Sequence, residues 1–248
     1  MNGLRKSTAL LRHSLKMRLM HPPKRAPLVR VLQATGAQTV LDIGANRGQT
    51  ATRLRRGGFT GTIVSCEPLA DEYDFLARAA AEDPHWIARR EAVGAAAGEV
   101  ELNVSGRSSS SSIRPVAKRL LELAPDIAYV GTERVPVVTV KHLLVDQGLD
   151  VRTTVLKADV QGFEWEVLEG AGDLLGQFAA VVVEMCLSEL YEGQRLLPDL
   201  VTRLTAAGHQ LWTIEPGHVD KADGRMLWCD GIFVRQDIAD AASTHHMR

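Results

Sequence analysis

The sequence is poor in cysteine, in aromatic residues and in long apolar runs, and each shortage excludes a class of protein. Its three cysteines (Cys66, Cys186 and Cys229) lie far apart and show no metal-ligand spacing, so we predict neither a disulfide framework nor a cysteine-bound metal. Aromatic residues make up 5% of the chain, which leaves Val, Leu, Ile and Ala to build the core. No apolar stretch approaches the roughly 18 residues that a membrane-spanning helix needs. Residues 2–19 lack the apolar segment of a secretory signal, so we predict a cytoplasmic globular protein.

Acidic residues are absent from the first 41 positions. Residues 1–41 contain eight Lys or Arg residues and no Asp or Glu. Leu4, Leu11 and Leu15 recur at near-helical spacing, so residues 1–36 are predicted to form a basic helical extension. Two interpretations stay open: residues 1–21 lie on an anionic membrane surface, or their leucines pack on the domain. Nucleic-acid binding is not predicted, because no basic patch with interleaved aromatic residues follows.

Residues 37–236 are predicted to form one α/β domain. Short β-branched or apolar runs alternate with helical segments from Thr39 onward, which is typical of a doubly wound, mostly parallel sheet. We count seven strands in this sheet. Residues 99–105 alternate apolar and polar side chains, so they predict a small inserted β segment.

Several further predictions concern single segments. Residues 113–129 are predicted to be helical but interrupted by prolines. Pro136 predicts that the strand at 135–140 lies at a sheet edge, because proline cannot donate to a ladder. Glu164 is predicted on a helix face that points away from the sheet, and residues 237–248 are predicted to be a disordered tail.

A glycine turn between a strand and a helix is the most informative local feature. The run from Thr39 to Gly44 predicts a buried strand, and a helix begins near Gly48. The nicotinamide pattern Gly-x-Gly-x-x-Gly fails, because Asn46 and Gln49 stand at two of its three glycines. The pattern acidic-x-Gly-x-x-x-Gly of S-adenosylmethionine (SAM) enzymes fits from Asp42 to Gly48.

The next strand supports the same cofactor. Residues 62–66 form a second β-branched run that ends at Glu67 and Pro68, where a carboxylate can accept hydrogen bonds from both hydroxyls of a ribose. Asp42 would serve the methionine ammonium, often through water. The alternative interpretation is a tight turn with Glu67 merely solvated.

Four predicted strands end in an acidic residue: Asp42, Glu67, Asp159 and Glu184. Lys157 and Asp159 share one strand face, which allows an ion pair. Asp159 is the first candidate to orient or deprotonate an acceptor hydroxyl and Glu184 is the second, although both could instead cap helices. We find no third ligand for a divalent ion, so no metal site is predicted. The serine run 108–112 is a loop that can close over the ligand.

Several segments together resemble the FkbM family of SAM-dependent methyltransferases, from about residue 38 to 235. The matching stretches are residues 40–50 (Val-Leu-Asp-Ile-Gly-Ala-Asn-Arg-Gly-Gln-Thr), 66–68 (Cys-Glu-Pro), 91–94 (Glu-Ala-Val-Gly), 110–113 (Ser-Ser-Ser-Ile), 156–171 (with Lys-Ala-Asp-Val-Gln-Gly) and 183–184 (Val-Glu). The Lys-x-Asp-x-(Glu/Gln)-Gly block is the most specific of these. One departure is Lys141, which stands where the family usually has an aspartate, so this chain has a base in place of that acid.

The resemblance implies a class I SAM-methyltransferase (Rossmann-like) fold and O-methylation of sugars or polyketide-like products. It places the adenine beside Ala92 and Val93. The residues expected to bind the cofactor are Asp42, Gly44, Ala45, Asn46, Gly48, Glu67, Pro68, Ala92 and Val93, and the expected catalytic residues are Asp159, Lys157 and Glu184.

The chain also resembles the sugar O-methyltransferases of bacterial cell-wall glycolipids. With the basic N-terminus, this suggests a glycolipid acceptor methylated at the inner leaflet of the membrane. Three alternatives stay open: a protein that binds SAM without turnover, a peripheral membrane or nucleic-acid binder with a merely structural core, and a nicotinamide oxidoreductase.

Overall fold

The structure is a computed structural model that describes residues 27–220 and 222–245. Its strands are β1 (Thr39–Ile43), β2 (Thr62–Cys66), β3 (Trp86–Arg89), β4 (Ala92–Val93), β5 (Gly98–Ser105), β6 (Tyr129–Val138), β7 (Thr154–Ala158), β8 (Ala180–Cys186), β9 (His209–Pro216) and β10 (Trp228–Arg235). Its α-helices are α1 (Pro27–Thr35), α2 (Gln49–Arg56), α3 (Ala70–Ala80), α4 (Lys118–Leu123), α5 (Val140–Asp146), α6 (Glu164–Ala171), α7 (Leu197–Ala206) and α8 (Gln236–His245).

Seven strands form the main sheet, in the order β3-β2-β1-β7-β8-β10-β9. Strand β10 runs antiparallel to β8 and β9, and the other pairs are parallel. This confirms the predicted class I methyltransferase fold with a mostly parallel seven-stranded sheet. The chain leaves β1 toward β2 on one side and returns to β7 on the other, so a crevice opens beyond the carboxyl ends of β1 and β7.

Helices cover both faces of this sheet. Helices α1, α2, α3 and α8 pack on one face against a core that includes Val40, Ile63 and Ile232. Helices α5, α6 and α7 pack on the other face against residues such as Leu156 and Phe233. Every residue of β1 and of β8 is buried. Because strands buried on both faces need apolar residues at nearly every position, these segments read as continuous hydrophobic runs in the sequence.

The inserted segment is a separate three-stranded sheet in the order β4-β6-β5. Strand β6 is therefore central, and the prediction that residues 135–140 form an edge strand is wrong. The physical reason is that β4 is only two residues long and pairs with Val137 and Val138. Pro136 pairs with Glu99 of β5, but it precedes the two residues of β6 that pair with β4. Strand β6 can therefore be central even though Pro136 has no backbone N–H to donate.

Two other segments differ from prediction. The α-helix expected in residues 113–129 is confined to α4, and a 3-10 turn begins at Pro125. The predicted disordered tail is wrong for residues 237–245, which belong to α8. Ala239 of this helix is fully buried against the α1 face of the sheet, so apolar packing holds the segment in place.

Most of the predicted basic extension, residues 1–26, lies outside the described residues, while Pro27–Thr35 forms α1. Among the helices of the described part, none combines the length and apolarity that crossing a bilayer requires.

Candidate active site

A cavity of about 260 Å³ opens at the carboxyl edge of β1, β2 and β7. One part of its wall is apolar and comes from the second sheet and its neighbours. The other part is charged and comes from α2, from β7 and from the turn after β7. The apolar part is formed by Leu69, Ala92, Val93, Leu102, Ile113 and Phe163, and the charged part by Arg53, Lys157 and Asp159. Glu67 and Glu91 also line the cavity.

The glycine turn brings β1 and β7 together. Gly44 has a φ of 78°, and a Cβ at this position would lie 1.8 Å from the carbonyl oxygen of Asp159. No other residue fits this approach. Gly48 has a φ of 82°, and a Cβ there would lie 2.6 Å from the Trp86 ring, so its role is to allow packing beneath the turn. Gly44, Ala45 and Asn46 line the cavity, whereas Gly48 lies outside its wall.

Glu67 joins the glycine turn to the apolar part of the wall. Its buried carboxylate accepts hydrogen bonds from the backbone N–H of Asn46 at 2.9 Å and of Leu69 at 3.0 Å. Burial raises the pKa of Glu67 to about 7, although these two hydrogen bonds oppose the shift. Each carboxylate oxygen keeps a second lone pair, so Glu67 can still accept hydrogen bonds from ribose hydroxyls.

Asp42 lies beneath the cavity and is fully buried. Neither of its carboxylate oxygens accepts a hydrogen bond of good geometry from the described residues, and the Nζ of Lys157 lies 3.3 Å from its Oδ1. Burial raises the pKa of Asp42, and Lys157 opposes this shift. Asp42 does not line the cavity, and Lys157 is the residue that forms a salt bridge with it.

Lys157 forms an ion pair with two carboxylates. Its Nζ lies 3.3 Å from Asp42 and 3.4 Å from Oδ2 of Asp159. Burial by itself lowers the pKa of Lys157, but Asp159, Asp42 and Asp230 outweigh it, and the net pKa is raised. Lys157 therefore stays protonated and can position Asp159, but it cannot accept a proton.

Gln161 connects the two predicted catalytic acids. Its Nε2 donates to Oδ1 of Asp159 at 3.0 Å and to Oε2 of Glu184 at 3.1 Å. Burial, then the nearby Asp159 and Glu164, hold the pKa of Glu184 well above its usual range. Glu184 does not line the cavity, so its link to Asp159 runs through the Gln161 amide.

Four residues around this network have roles that the sequence analysis missed. Gln161 belongs to the Lys-x-Asp-x-Gln-Gly block, so its proximity to Asp159 could have been inferred from the sequence. The hydroxyl of Tyr191 donates to Oε1 of Gln161 at 2.7 Å. Asp230 lies opposite Glu184 in the sheet, and its pKa is raised to about 6 by burial and by Asp159. No local signal in the sequence identifies Tyr191 or Asp230.

Glu164 is the fourth residue whose role the sequence analysis missed. The prediction that its side chain points away from the sheet is wrong. Its side chain is buried, and its carboxylate accepts from the backbone N–H of Val160 at 2.9 Å and of Gly162 at 3.1 Å. The turn between them has positive φ at Gln161 (55°) and at Gly162 (94°). Because this turn leaves two buried N–H groups without a backbone partner, the carboxylate is drawn inward.

The serine run lies at the cavity. Ser108, Ser109, Ser111 and Ser112 all contribute to the wall. The Asn46 amide donates to Oγ of Ser108 at 3.3 Å, and Oγ of Ser112 donates to the carbonyl of Gln161 at 2.6 Å. The loop therefore contacts both the glycine turn and the turn that follows β7.

The cavity wall fits the chemistry of SAM. Its apolar part, with Ala92 and Val93, suits the adenine ring, and Glu67 beside Pro68 suits the ribose. Its charged part suits the amino-acid end. Across the described residues, no group of three or more His, Cys, Asp and Glu side chains could hold a metal ion.

Several solved structures are similar to this chain over most of its length. One is magnesium protoporphyrin IX methyltransferase from Synechocystis PCC 6803 with bound SAM, at 12% identity and a TM-score of 0.46, covering 84% of this chain and 76% of that one. Another is 1,6-didemethyltoxoflavin-N1-methyltransferase from Burkholderia thailandensis, at 14% identity and a TM-score of 0.44, covering 94% and 88%. At these TM-scores the likeness carries no functional argument. No curated protein matches the sequence.

The family comparison is decisive. The family described as the methyltransferase FkbM domain matches residues 42–211, which is 170 of the 248 residues. The match includes the glycine turn, Glu67, the serine run and the block from Lys157 to Gly162. The chain therefore belongs to the FkbM methyltransferase family, and it is a SAM-dependent methyltransferase.

Proposed function

We propose that this methyltransferase methylates a hydroxyl group of a sugar or a related polyhydroxylated natural product. The observation that carries the proposal is the position of Asp159. Its carboxylate lines the charged part of the cavity, and 37% of its side chain is exposed. Lys157 and Gln161 each contact one of its oxygens.

Methyl transfer to a hydroxyl needs alignment of the oxygen and a group that receives its proton. SAM supplies, when bound, a methyl group on a positively charged sulfur. Asp159 would orient the acceptor hydroxyl and accept its proton while the methyl group passes from the sulfur to the oxygen, so that the carbon–sulfur bond breaks and a neutral thioether leaves. Lys157 and Gln161 are positioning residues, because they hold the Asp159 carboxylate in one orientation.

The surroundings of Asp159 support an acceptor with several hydroxyl groups. Asp159 itself provides a carboxylate on the cavity wall, and the serine run provides hydroxyl groups. Carboxylates and hydroxyls are the groups that hydrogen-bond to sugars, since each can accept from a hydroxyl.

We further propose that the acceptor is the glycan of a cell-wall glycolipid. The family resemblance supports a sugar acceptor. The eight basic residues among positions 1–41 support peripheral contact between residues 1–21 and an anionic membrane surface at the cytoplasmic face.

Acceptor profiling tests the proposal. The full-length protein is incubated with SAM and a short-chain glycolipid, its free glycan, or an amine acceptor of similar size, and the methylated atom is located by mass spectrometry. We expect methylation of an oxygen atom in the glycolipid and in the free glycan. Asp159→Asn should lower the rate by about 10²- to 10⁴-fold, the usual contribution of a general base. Asp74→Asn, an exposed change on α3, should leave the rate unchanged. Methylation of the amine alone would contradict the proposal.

A further inference from the structure

We propose that Arg53 binds the α-carboxylate of the methionine part of SAM. This inference concerns the cofactor and depends on the methyltransferase assignment, not on the identity of the acceptor. It assigns a specificity role to an arginine of α2 that no motif in the sequence singles out.

Arg53 is available for a ligand. It lines the cavity, and its Nε donates to the carbonyl of Gln49 at 3.3 Å, one turn earlier in α2. Among the described residues, no carboxylate forms a salt bridge with it. The residues outside the description, 1–26, 221 and 246–248, contain no Asp or Glu, so they offer no acidic side chain for it either.

The other basic residue of the cavity wall is already committed. Lys157 lies within 3.4 Å of both Asp42 and Asp159. A ligand carboxylate beside Lys157 would meet these two acids and be repelled by them. Arg53 is thus the one cation of the described wall that can take an additional negative charge.

The position of Arg53 matches the charge pattern of the amino-acid end of SAM. Its positive charge favours the ionised forms of three carboxylates, those of Asp42, Glu215 and Asp230, and it forms a salt bridge with none of them. The ammonium of the ligand would be attracted to the carboxylate of Asp42, which is buried beneath the wall, and the α-carboxylate of the ligand would face Arg53. Arginine suits this role because its planar guanidinium can donate two parallel hydrogen bonds to a carboxylate.

Comparing SAM with decarboxylated SAM isolates this contact, since the two ligands differ only in the carboxylate. Their affinities are measured by calorimetric titration of the wild type, Arg53→Gln, Arg53→Lys and Arg56→Gln. We expect Arg53→Gln to weaken SAM binding by about 10- to 100-fold, the range for hydrogen bonds to charged groups, and to leave decarboxylated SAM unaffected. Arg53→Lys should keep part of the preference for SAM over decarboxylated SAM. Arg56→Gln is the matched control at an exposed position of the same helix, and it should behave as the wild type.

Three outcomes would overturn the inference. In the first, Arg53→Gln keeps the wild-type preference for SAM. In the second, Arg53→Gln lowers the affinity for both ligands by the same factor, which would indicate a structural role for Arg53. In the third, the wild type binds neither ligand, and the cofactor assignment then fails as well. Failure of the acceptor proposal would instead appear as normal SAM binding without methylation of any hydroxyl.

Discussion

Replacing Gly44 with alanine tests the contact between the glycine turn and the residues that follow β7. An added Cβ would lie 1.8 Å from the backbone carbonyl oxygen of Asp159, at a φ of 78°. The left-handed conformation costs an L-residue about 1–2 kcal/mol. Overpacking adds about 1–3 kcal/mol, and the upper part of that range applies because a backbone oxygen cannot move aside as a side chain can. We therefore expect Gly44→Ala to lower the free energy of unfolding by about 3–5 kcal/mol.

Gly36 offers a matched control. It also has a positive φ, 64°, but a Cβ there would meet no heavy atom within 4 Å. Gly36→Ala should therefore show the conformational cost alone, about 1–2 kcal/mol. Equilibrium urea denaturation followed by circular dichroism measures both variants, and the difference between them isolates the steric cost of the Asp159 contact.

The two variants should also differ in cofactor binding. A shifted glycine turn moves Asn46 and the Asp159 backbone, so Gly44→Ala should lose affinity for S-adenosylhomocysteine (SAH) while Gly36→Ala keeps it. If Gly44→Ala proves no more destabilising than Gly36→Ala and binds SAH normally, the close approach of β1 and β7 is refuted.

Two further predictions concern pH and the N-terminus. The pKa of Glu67 is raised to about 7, so the group is protonated below this pH and ionised above it. Because ribose binding needs the carboxylate, SAH affinity should rise about tenfold between pH 6 and pH 8. Calorimetry at both pH values should show no such rise for Glu67→Gln. An equal rise in that variant would contradict the assignment of Glu67 to the ribose. Deleting residues 1–21 should abolish binding to anionic vesicles in a sedimentation assay and leave SAH affinity intact; vesicle binding that survives the deletion would refute the membrane role.

The turn and strand end that we assign to the cofactor could be located from the sequence because their determinants are local. A buried strand must be apolar, a tight turn with positive φ needs glycine, and the chain reaches Glu67 within one strand-turn-helix-strand unit. Asp42, Gly44 and Glu67 therefore carry their pattern within about 25 residues of sequence. The same reasoning predicted that the central strands are parallel, since helices alternate with them along the chain.

The catalytic half was predictable only in part. Lys157 and Asp159 share a face by the two-residue period of a strand, so their ion pair follows from the sequence. The connection of Glu184 to Asp159 does not, because it requires Gln161 to adopt a positive φ that sequence patterns do not favour for glutamine.

The sequence by itself determined the fold class, because strands and helices alternate along the chain. It also determined the glycine turn and the strand that precedes Asp159, because each depends on spacing within one short segment. The tertiary structure decided which distant groups surround Asp159 and what charge each carries. Asp230 reaches the site through the order of the sheet and Tyr191 through the segment that follows β8, and Glu164 turns inward to satisfy two buried N–H groups. Burial, a property of the whole fold, raises the pKa of Glu67 and Glu184, and no local pattern encodes it.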